Sequence, residues 1–216
     1  MGLAMFQPYE NPGWGSAIVE AQLAMLGLPY TLIAAGEVFD DLIARAALAR
    51  VNPVAQLPTL ILPSGEVMTE SAAITLLLAE VSGSDALVPV PGSAERAAFL
   101  RWLVFIVAYI YPCFTFADVP ERFVPEAEGD AYKARVTEHA TRLWQVVAAE
   151  VAAKGGPWFL GARFSALDIY LAVMVNWRPG KAAFEVTTPG LARIAAAAAA
   201  RPDMIAVMAR NFPAQG

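Results

Sequence analysis

The sequence predicts two domains, a small mixed α/β domain followed by an all-helical one. Residues 1–83 alternate short apolar runs with helical patterns, residues 84–92 are rich in turn residues, and residues 93–216 have helical patterns almost throughout. A chain of 216 residues is also long for one domain, because domains cluster near ~100–150 residues. We therefore expect a first domain at 1–83, a linker at 84–92 and a helical domain at 93–216.

The first domain is predicted to follow the order β-α-β-α-β-β-α. Gly27 is placed to end the first helix in the left-handed conformation, and Pro63-Ser64-Gly65 indicates a hairpin between the last two strands. The opening strand-helix-strand pattern is typical of a parallel pair. Strands are expected at Leu3–Gln7, Tyr30–Ala34, Pro58–Leu62 and Glu66–Met68, a turn-rich stretch at Pro8–Gly15, and helices at Ser16–Leu26, Phe39–Arg50 and from Thr69 or Glu70 to Ala79.

The second domain is predicted to be all helix. Pro112 should kink its first helix, because proline removes a backbone hydrogen bond inside a helix. Ser165 and Asp168 are close to a capping box, with Phe164 and Ile169 placed as a hydrophobic staple, so we expect them to fix a helix start and not to act in catalysis. Helices are expected at Ala94–Ala117, Ala127–Ala153, Leu167–Trp177, Ala192–Ala200 and Met204–Arg210.

Composition limits the classes of partner. Acidic residues outnumber lysine and arginine by 20 to 15, and no basic stripe occurs, which argues against nucleic acid as the main partner. Hydrophobic residues make up 57% of the chain and charged residues 16%, so apolar surface should be hidden in a large core or at a subunit interface. We therefore expect a homodimer.

The single cysteine and the apolar segments indicate where the protein works. Cys113 is the only cysteine, so no disulfide can form within the chain, which fits a reducing cytoplasm. The N-terminus lacks the basic region and long apolar core of a signal peptide. The longest apolar stretch, Leu103–Ala117, is too short for a membrane span and is interrupted by Pro112. We expect a cytoplasmic protein without a membrane partner.

Two segments carry the predicted binding chemistry. Leu57-Pro58 opens a strand, and a cis bond there would turn the Leu57 backbone groups outward, where an extended peptide can pair with them. Thr69-Glu70-Ser71 stands at a helix start, whose unpaired N–H groups bind carboxylates, while the Glu70 carboxylate can hold an ammonium group. On these residues alone, an ordinary trans proline and a plain helix start remain alternatives.

The order and spacing of these segments resemble a known family. Asn52-Pro53-Val54-Ala55-Gln56-Leu57-Pro58-Thr59-Leu60, followed by Thr69-Glu70-Ser71-Ala72-Ala73-Ile74, is similar to the soluble glutathione transferases of bacterial type, whose pattern is N-P-x-x-x-(V/L)-P-x-L, a hairpin, and x-E-S-x-A-I. The resemblance extends to Gly27-Leu28-Pro29-Tyr30 and to Phe164-Ser165-Ala166-Leu167-Asp168-Ile169. It covers roughly the whole chain and is strongest for residues 45–80.

The resemblance implies a thioredoxin-like first domain that binds glutathione as a co-substrate, with no metal. Leu57, beside Pro58, would pair its backbone with the cysteinyl part of glutathione. Glu70 and Ser71 would hold the γ-glutamyl end. Gln56 would reach the glycyl carboxylate or nearby backbone.

The residue that activates the thiol lies near the first helix in this family. Thiolate is the nucleophile, so a hydroxyl or amide donor must favour it over the thiol. Tyr9 stands where the tyrosine-type classes keep their tyrosine, and Ser16 stands beside the cysteine-type position. Tyr9 is our first choice and Ser16 the second, while Asn11 or Trp14 could contribute instead. Tyr9 as a loop aromatic and Ser16 as an N-cap also remain open.

The resemblance further implies that the first long helix of the helical domain binds the electrophile. Core or interface packing is the alternative for the aromatic residues concerned. The sole histidine, His139, has no cysteine or histidine partners at ligand spacing, so we expect no metal site. The predicted substrate pocket consists of Trp14, Tyr109, Tyr111, Cys113 and Phe116.

The expected function is a glutathione transferase, acting in detoxification, that joins the glutathione thiolate to a small apolar electrophile. A glutathione-dependent isomerase, dehalogenase or lyase is an alternative, because one fold supports several chemistries. A non-catalytic glutathione-binding or structural module is another, favoured by the irregular loop from Tyr9 to Ser16. Thiol–disulfide exchange is disfavoured because no cysteine lies near the first helix.

Overall fold

The computed structural model describes residues 5–213. The described chain groups into two compact units, one of residues 5–88 and 198–213 and the other of residues 89–197. As domain bounds, 1–83, 84–92 and 93–216 stay predictions. The two compact units differ from these predicted domains in one respect. Residues 198–213, which we assigned to the helical domain, group with the first unit.

The first unit is built on a four-stranded sheet and follows the predicted order β-α-β-α-β-β-α. Its elements are β1 Gln7–Glu10, α1 Ser16–Met25, β2 Ile33–Ala34, α2 Leu42–Ala49, β3 Thr59–Ile61, β4 Val67–Thr69 and α3 Ser71–Ser82. The strand order is β2-β1-β3-β4, with β1 and β2 parallel and the other neighbours antiparallel. This arrangement confirms the predicted thioredoxin-like fold.

The first strand lies later in the chain than the predicted Leu3–Gln7. β1 begins at Gln7 and includes Pro8 and Tyr9, which we expected in a turn, while Leu3 lies outside the described residues. Proline is unusual in a strand because it has no amide donor, and this turn-like composition hid the strand. Tyr9 is therefore a strand residue and not a loop aromatic.

The two faces of the sheet carry separate apolar clusters, because successive strand residues point to opposite faces. Leu60 lies on the face covered by α1 and α3, and Tyr9 lies on the opposite face. The buried members around Leu60 are Phe6, Val19, Leu23, Ile74 and Leu78. The buried members against which Tyr9 packs are Ala35, Val38 and Leu48.

Local signals fix the helix ends of the first unit. The Asp41 carboxylate accepts hydrogen bonds from the N–H groups of Ile43 at 2.8 Å and Ala44 at 3.2 Å, so α2 starts after its predicted start. Gly27 follows α1 with a φ of 64°, and Gly83 follows α3 with a φ of 62°. Both glycines adopt the left-handed conformation that commonly ends a helix, which confirms the prediction for Gly27.

The second unit is helical, and it contains one helix that was not predicted. Its elements are α4 Arg96–Phe105, a π-helical turn Ile106–Ile110, α5 Tyr111–Asp118, 3-10 turns Pro120–Arg122 and Glu126–Glu128, α6 Gly129–Lys154, α7 Ala166–Met174, α8 Lys181–Thr187 and α9 Pro189–Ala199. The turn residues of Arg178-Pro179-Gly180 hid α8, which starts directly after them. The last helix, α10 Ile205–Asn211, packs against α1 in the first unit.

A π-helical turn lies just before Pro112, where we predicted a kink. The Tyr111 N–H donates to the Ile106 carbonyl, five residues back, so the helix accommodates an extra residue just before Pro112. Pro112 then lies in the first turn of α5, directly after the π-helical turn, where proline is tolerated better than in the interior of a regular helix.

The π-helical turn joins α4 and α5 into one helical run of 23 residues, Arg96–Asp118. By length and composition alone this run could cross a membrane. Our expectation that the longest apolar stretch is too short for a membrane span therefore does not apply to the full helical run. A core helix has the same composition. We keep the interpretation of a core helix because one side of the run is buried, at Phe99, Trp102, Leu103, Ile106 and Ile110.

The capping box predicted at Ser165 and Asp168 is present at the start of α7. Ser165 Oγ accepts from the Leu167 N–H at 3.3 Å, and the Asp168 carboxylate accepts from the N–H groups of Ser165 and Phe159, both at 2.8 Å. Asp168 is fully buried. Burial raises the pKa of Asp168 to about 6, although its amide and hydroxyl donors act to lower it.

Asp168→Asn should remove a pH dependence from the stability. The folded protein holds the Asp168 proton more tightly than the unfolded chain does, so ionisation of this group lowers the free energy of unfolding as pH rises from about 4 to about 6, by at most ~3 kcal/mol. The variant has no such group to ionise, so between about pH 4 and about pH 6 its free energy of unfolding should rise relative to that of wild type by the same amount. Chemical denaturation at a series of pH values measures this change.

Ser165→Ala is the matched control for this measurement, because it removes the cap hydroxyl and leaves the Asp168 carboxyl to titrate. It should lower the free energy of unfolding by ~1 kcal/mol and keep a fall in stability with rising pH at least as large as that of wild type, because the Ser165 hydroxyl acts to lower the pKa of Asp168. A stability difference between wild type and Asp168→Asn that stays constant across the range would contradict the role given to burial.

Candidate functional site

Pairing across the sheet brings three separate segments to one end of the first unit. Tyr9 pairs with Thr59, and Thr59 pairs with Thr69. Neighbouring strands lie ~4.8 Å apart, so this row of residues crosses three strands. Since β1 ends, β3 begins and β4 ends near the row, residues 11–15, the Leu57-Pro58 bond and the start of α3 meet at the same end of the sheet.

The loop between β1 and α1 is closed by Asn11 and Ser16. Ser16 Oγ donates to the Asn11 carbonyl and accepts from the Asn11 N–H, both at 3.3 Å. The Asn11 side chain donates to Glu37 Oε1 at 3.0 Å. Ser16 is 2% exposed, and the N-cap of α1 is Gly15. The Ser16 hydroxyl therefore holds the loop backbone.

Three of the predicted site residues share one apolar support. Tyr9, Trp14 and Leu57 are half-buried and pack against the cluster of Ala35, Val38 and Leu48. Trp14 also stacks on Phe39, with ring centroids 4.6 Å apart. The structure thus brings the aromatic candidates of the first segment together with the strand opening at Leu57.

The Leu57-Pro58 bond is cis, and the buried side chain of Asn52 organises the loop before it. Asn52 Nδ2 donates to the Gln56 carbonyl and to the Thr59 hydroxyl, both at 3.0 Å, and Asn52 Oδ1 accepts from the Val54 N–H at 3.1 Å. The Thr59 hydroxyl donates to the same Gln56 carbonyl at 2.8 Å. The loop is therefore fixed by its own hydrogen bonds before any ligand binds.

The Leu57 backbone remains available at this edge. Among residues 5–213, neither its N–H nor its carbonyl makes a backbone hydrogen bond. Two residues before it, the buried Ala55 has a φ of 52°, a left-handed conformation that a residue other than glycine keeps only where its surroundings require it. An extended peptide can pair with an edge of this kind.

The start of α3 is shaped by Glu70, whose φ of 65° and ψ of 104° lie outside the regions that residues other than glycine favour. Its carboxylate is exposed and does not cap the helix. Ser71, which is 7% exposed, is the first helical residue. Because the first N–H groups of a helix have no intrahelical partner, this start combines amide donors, a hydroxyl and a carboxylate.

The sheet end has the groups needed to bind a short peptide with a charged terminus. The Leu57 backbone can pair with an amide of the ligand. The helix start at Ser71 can bind a carboxylate, and the Glu70 carboxylate can pair with an ammonium group. All three come from rigidly paired or hydrogen-bonded segments of one unit.

The predicted substrate-pocket residues are divided between the two units. Trp14 lies in the first unit, while Tyr109, Tyr111 and Phe116 lie in the second. Tyr109 is 58% exposed and Phe116 is 36% exposed, so both rings are open to solvent. Each of the three rings packs on another aromatic ring: Tyr109 on Phe105, Tyr111 on Trp177, and Phe116 on Phe123.

Cys113, the fifth residue predicted for that pocket, is buried on α5. Its thiol donates to the Tyr109 carbonyl at 3.2 Å. Burial raises the pKa of Cys113, outweighing a backbone hydrogen bond that lowers it, so this side chain remains a thiol at neutral pH and is a poor nucleophile. No group of three or more His, Cys, Asp or Glu residues in 5–213 could hold a metal ion.

Sequence reasoning missed two residues that contact the site, Arg210 and Asn211 of α10. Asn211 Oδ1 accepts from the Gly13 N–H at 3.1 Å, and Arg210 Nη1 donates to Glu10 Oε2 at 3.0 Å. These partners are 198 and 200 residues apart in the chain. No local pattern could have joined them, since each looks like an ordinary helix or loop residue.

Comparisons with known proteins agree with this geometry. A family model for the N-terminal domain of glutathione S-transferases matches residues 17–81. The chain is 36% identical over 207 residues to the uncharacterized GST-like protein YncG of Escherichia coli K12, covering 96% of this chain and 98% of that protein. It is 30% identical over 189 residues to glutathione S-transferase GstA of Escherichia coli O157:H7, covering 87% and 88%.

A solved structure extends the similarity to three dimensions. A sphingomonad glutathione S-transferase complexed with glutathione has a TM-score of 0.76 and 28% identity. The match covers 96% of this chain and 100% of that one. Both the sequence and the fold are therefore similar over nearly the full length.

Asn52→Ala should destabilise the protein, because it leaves the buried Thr59 hydroxyl and the Gln56 carbonyl short of a partner. We expect the free energy of unfolding to fall by about 2–3 kcal/mol, as measured by urea denaturation. Gln56→Ala is the control, since Asn52 bonds the Gln56 backbone and not its side chain, and it should change stability by less than about 0.5 kcal/mol. Equal effects of the two changes would contradict the role given to Asn52.

Proposed function

The chain belongs to the soluble glutathione transferase family, and on this basis we propose that it joins the glutathione thiolate to a small apolar electrophile. The observation that most supports this function is the meeting of three segments at one end of the sheet. They are the Leu57 backbone, the helix start at Glu70-Ser71 and the end of the strand that carries Tyr9.

The cysteinyl part of glutathione is proposed to pair with the Leu57 backbone. The Leu57 N–H and carbonyl make no backbone hydrogen bond among residues 5–213, and Pro58 follows Leu57 directly at the strand opening. Such pairing orients an extended peptide without using its side chain. The cysteinyl sulfur would then remain free to react.

The two ends of glutathione are proposed to bind on either side of this edge. The γ-glutamyl carboxylate would accept from the first N–H groups of α3 and from the Ser71 hydroxyl, and its ammonium group would pair with Glu70. Gln56, whose side chain is half-buried and whose backbone carbonyl is used by Asn52 and Thr59, would donate its amide to the glycyl end.

Tyr9 is the better candidate for activating the thiol. Its hydroxyl is carried by the strand end and its ring is supported by the cluster under Leu57. The Ser16 hydroxyl, in contrast, is buried and bonded to the Asn11 backbone. A donor held near the sulfur favours thiolate over thiol because it stabilises the charged form.

The reaction then needs no further reactant. The glutathione thiol loses its proton to solvent, the sulfur forms a bond to the electrophilic carbon, and a leaving group such as chloride departs with its bonding electrons. Exposed aromatic side chains of the helical unit, Tyr109 and Phe116, are proposed to contact the apolar electrophile. Tyr111 and Cys113, which are less exposed, would support that surface.

The assembly and location are part of the same proposal. Large apolar side chains that are more than half exposed, among them Val81 and Val104, favour burial against a second copy of the chain. A chain with one cysteine suits a reducing compartment. We therefore propose a cytoplasmic homodimer that acts in detoxification.

Glutathione binding should depend on the start of α3. Ser71→Ala removes the hydroxyl donor and Glu70→Gln removes the charge for the ammonium group, so each should weaken binding about tenfold in isothermal titration calorimetry. Glu66→Gln is the control, because Glu66 is an exposed acid of the neighbouring hairpin, and it should bind like wild type. Equal affinities in all four proteins would contradict this placement, and no binding even by wild type would overturn the proposed function.

Thiol activation should depend on Tyr9. With an aryl halide as electrophile, Tyr9→Phe should raise the pH midpoint of the rate by about one unit and lower the rate below neutral pH about tenfold, since the hydroxyl that stabilises the thiolate is lost. Glutathione affinity should be unchanged within about twofold.

Ser16→Ala is the control for activation. It should lower the stability of the loop and leave the pH midpoint in place. A shift with Ser16→Ala and none with Tyr9→Phe would give the role to Ser16. Glutathione binding without any turnover by wild type would instead indicate a non-catalytic binding protein.

A further inference from the structure

The last helix contacts the segment that carries the thiol-activating candidate. Arg210 forms a fork between two carboxylates: its Nε donates to Glu20 Oε1 at 2.9 Å, its Nη2 also bonds Glu20, and its Nη1 donates to Glu10 Oε2 at 3.0 Å. Glu10 is the last residue of β1, directly after Tyr9, and Glu20 lies on α1. One guanidinium thus joins the last residue of β1 to α1, the two elements that flank the loop.

The next residue, Asn211, adds a contact to the middle of that loop. Its Oδ1 accepts from the Gly13 N–H at 3.1 Å, and its Nδ2 donates to Glu20 Oε2 at 2.8 Å. Gly13 has a φ of 83°, and a Cβ there would lie 3.3 Å from the Asn211 carbonyl oxygen and 3.5 Å from the Phe212 ring. The loop therefore lies directly against the end of α10. We call these contacts of Arg210 and Asn211 with Glu10, Gly13 and Glu20 the C-terminal contact.

The C-terminal contact is buried enough to be specific. Glu20 is 3% exposed and Asn211 is 4% exposed. A buried carboxylate is costly unless it is paired and hydrogen-bonded, and Glu20 receives donors from both Arg210 and Asn211. Hydrogen bonds to Glu20 raise the pKa of Arg210 in spite of its partial burial, so the guanidinium stays charged.

Several charged groups lie around this contact and the loop. Arg210 balances one of two carboxylates, that of Glu10 at the end of β1 and that of Glu20 on α1. Burial and Glu20 raise the pKa of Tyr30, while Arg210 lowers it, and the Glu37 carboxylate accepts from the Asn11 side chain. Removing Arg210 would leave both carboxylates without a counter-charge. The ion pairs that join the end of β1 to α1 would be lost, so the segment between them would be held less firmly.

We propose that Arg210 and Asn211 are positioning residues for the reaction, because they hold the β1–α1 segment and its carboxylates so that thiolate is favoured at the sheet end. This rests on the proposed function, and it goes beyond it in making α10 part of thiol activation. Neither residue belongs to the edge at Leu57 or to the helix start at Ser71. Glutathione affinity and thiol activation should therefore separate.

The test measures the bound thiol directly. Wild type, Arg210→Gln and Asn211→Ala are titrated with pH in the presence of saturating glutathione, and the thiolate is followed by its ultraviolet absorbance. Both variants should raise the midpoint for thiolate formation by about one unit, with glutathione affinity within about twofold of wild type. Arg210→Lys keeps the charge without the fork and should give a smaller shift.

Arg201→Gln is the matched control. Arg201 lies in the same C-terminal segment and forms a fork on the exposed Asp203, at 3.1 and 2.8 Å, a partner outside the loop. It should leave both the midpoint and the affinity unchanged. Circular dichroism checks that each variant is folded. If Arg210→Gln does not fold, the milder variant Arg210→Lys provides the test.

The outcomes separate this inference from the proposed function. If the midpoint for thiolate formation does not move in Arg210→Gln and Asn211→Ala, the inference is overturned. This holds even if the stability of the variants falls, because a loss of stability alone indicates a structural role only. A midpoint that Arg201→Gln shifts equally also overturns it. Failure of wild type to bind glutathione overturns the proposed function, and this inference with it.

Discussion

The pairing of Thr59 with Tyr9 on one side and with Thr69 on the other holds three distant parts of the chain in one row. Because the strands alternate in direction there, the end of β1 and the end of β4 lie beside the beginning of β3. The Leu57 edge and the helix start at Ser71 depend on that row for their spacing. A shift of one residue in the pairing would turn Tyr9 to the opposite face of the sheet and separate it from the cluster under Leu57.

Around this row, the segments proposed for binding and for activation are built in different ways. The proposed binding edge is fixed by contacts within a few residues, chiefly those of Asn52 with Gln56 and Thr59. The segment that carries Tyr9, the residue proposed to activate the thiol, is held from far away by Arg210 and Asn211, near the other end of the chain. On this proposal, changes in the last helix adjust the reactivity and leave the affinity for glutathione in place.

The same difference decides what could be predicted from the sequence. The capping box at Asp168 and the left-handed Gly27 have short-range signals, and the structure contains them where they were expected. The first strand was placed too early because Pro8 resembles a turn residue, and α8 was missed behind Arg178-Pro179-Gly180. The contact of Arg210 with Glu10 spans 200 residues, so composition and periodicity carry no trace of it.

We propose that the end of the sheet binds glutathione with its sulfur beside Tyr9. A crystal structure of the protein with glutathione is the sharpest test. We expect the cysteinyl backbone to pair with Leu57, the γ-glutamyl carboxylate to lie at the Ser71 helix start, and the Tyr9 hydroxyl to be the donor nearest to the sulfur. Glutathione bound away from Leu57, or a sulfur whose nearest donor is another residue, would contradict it.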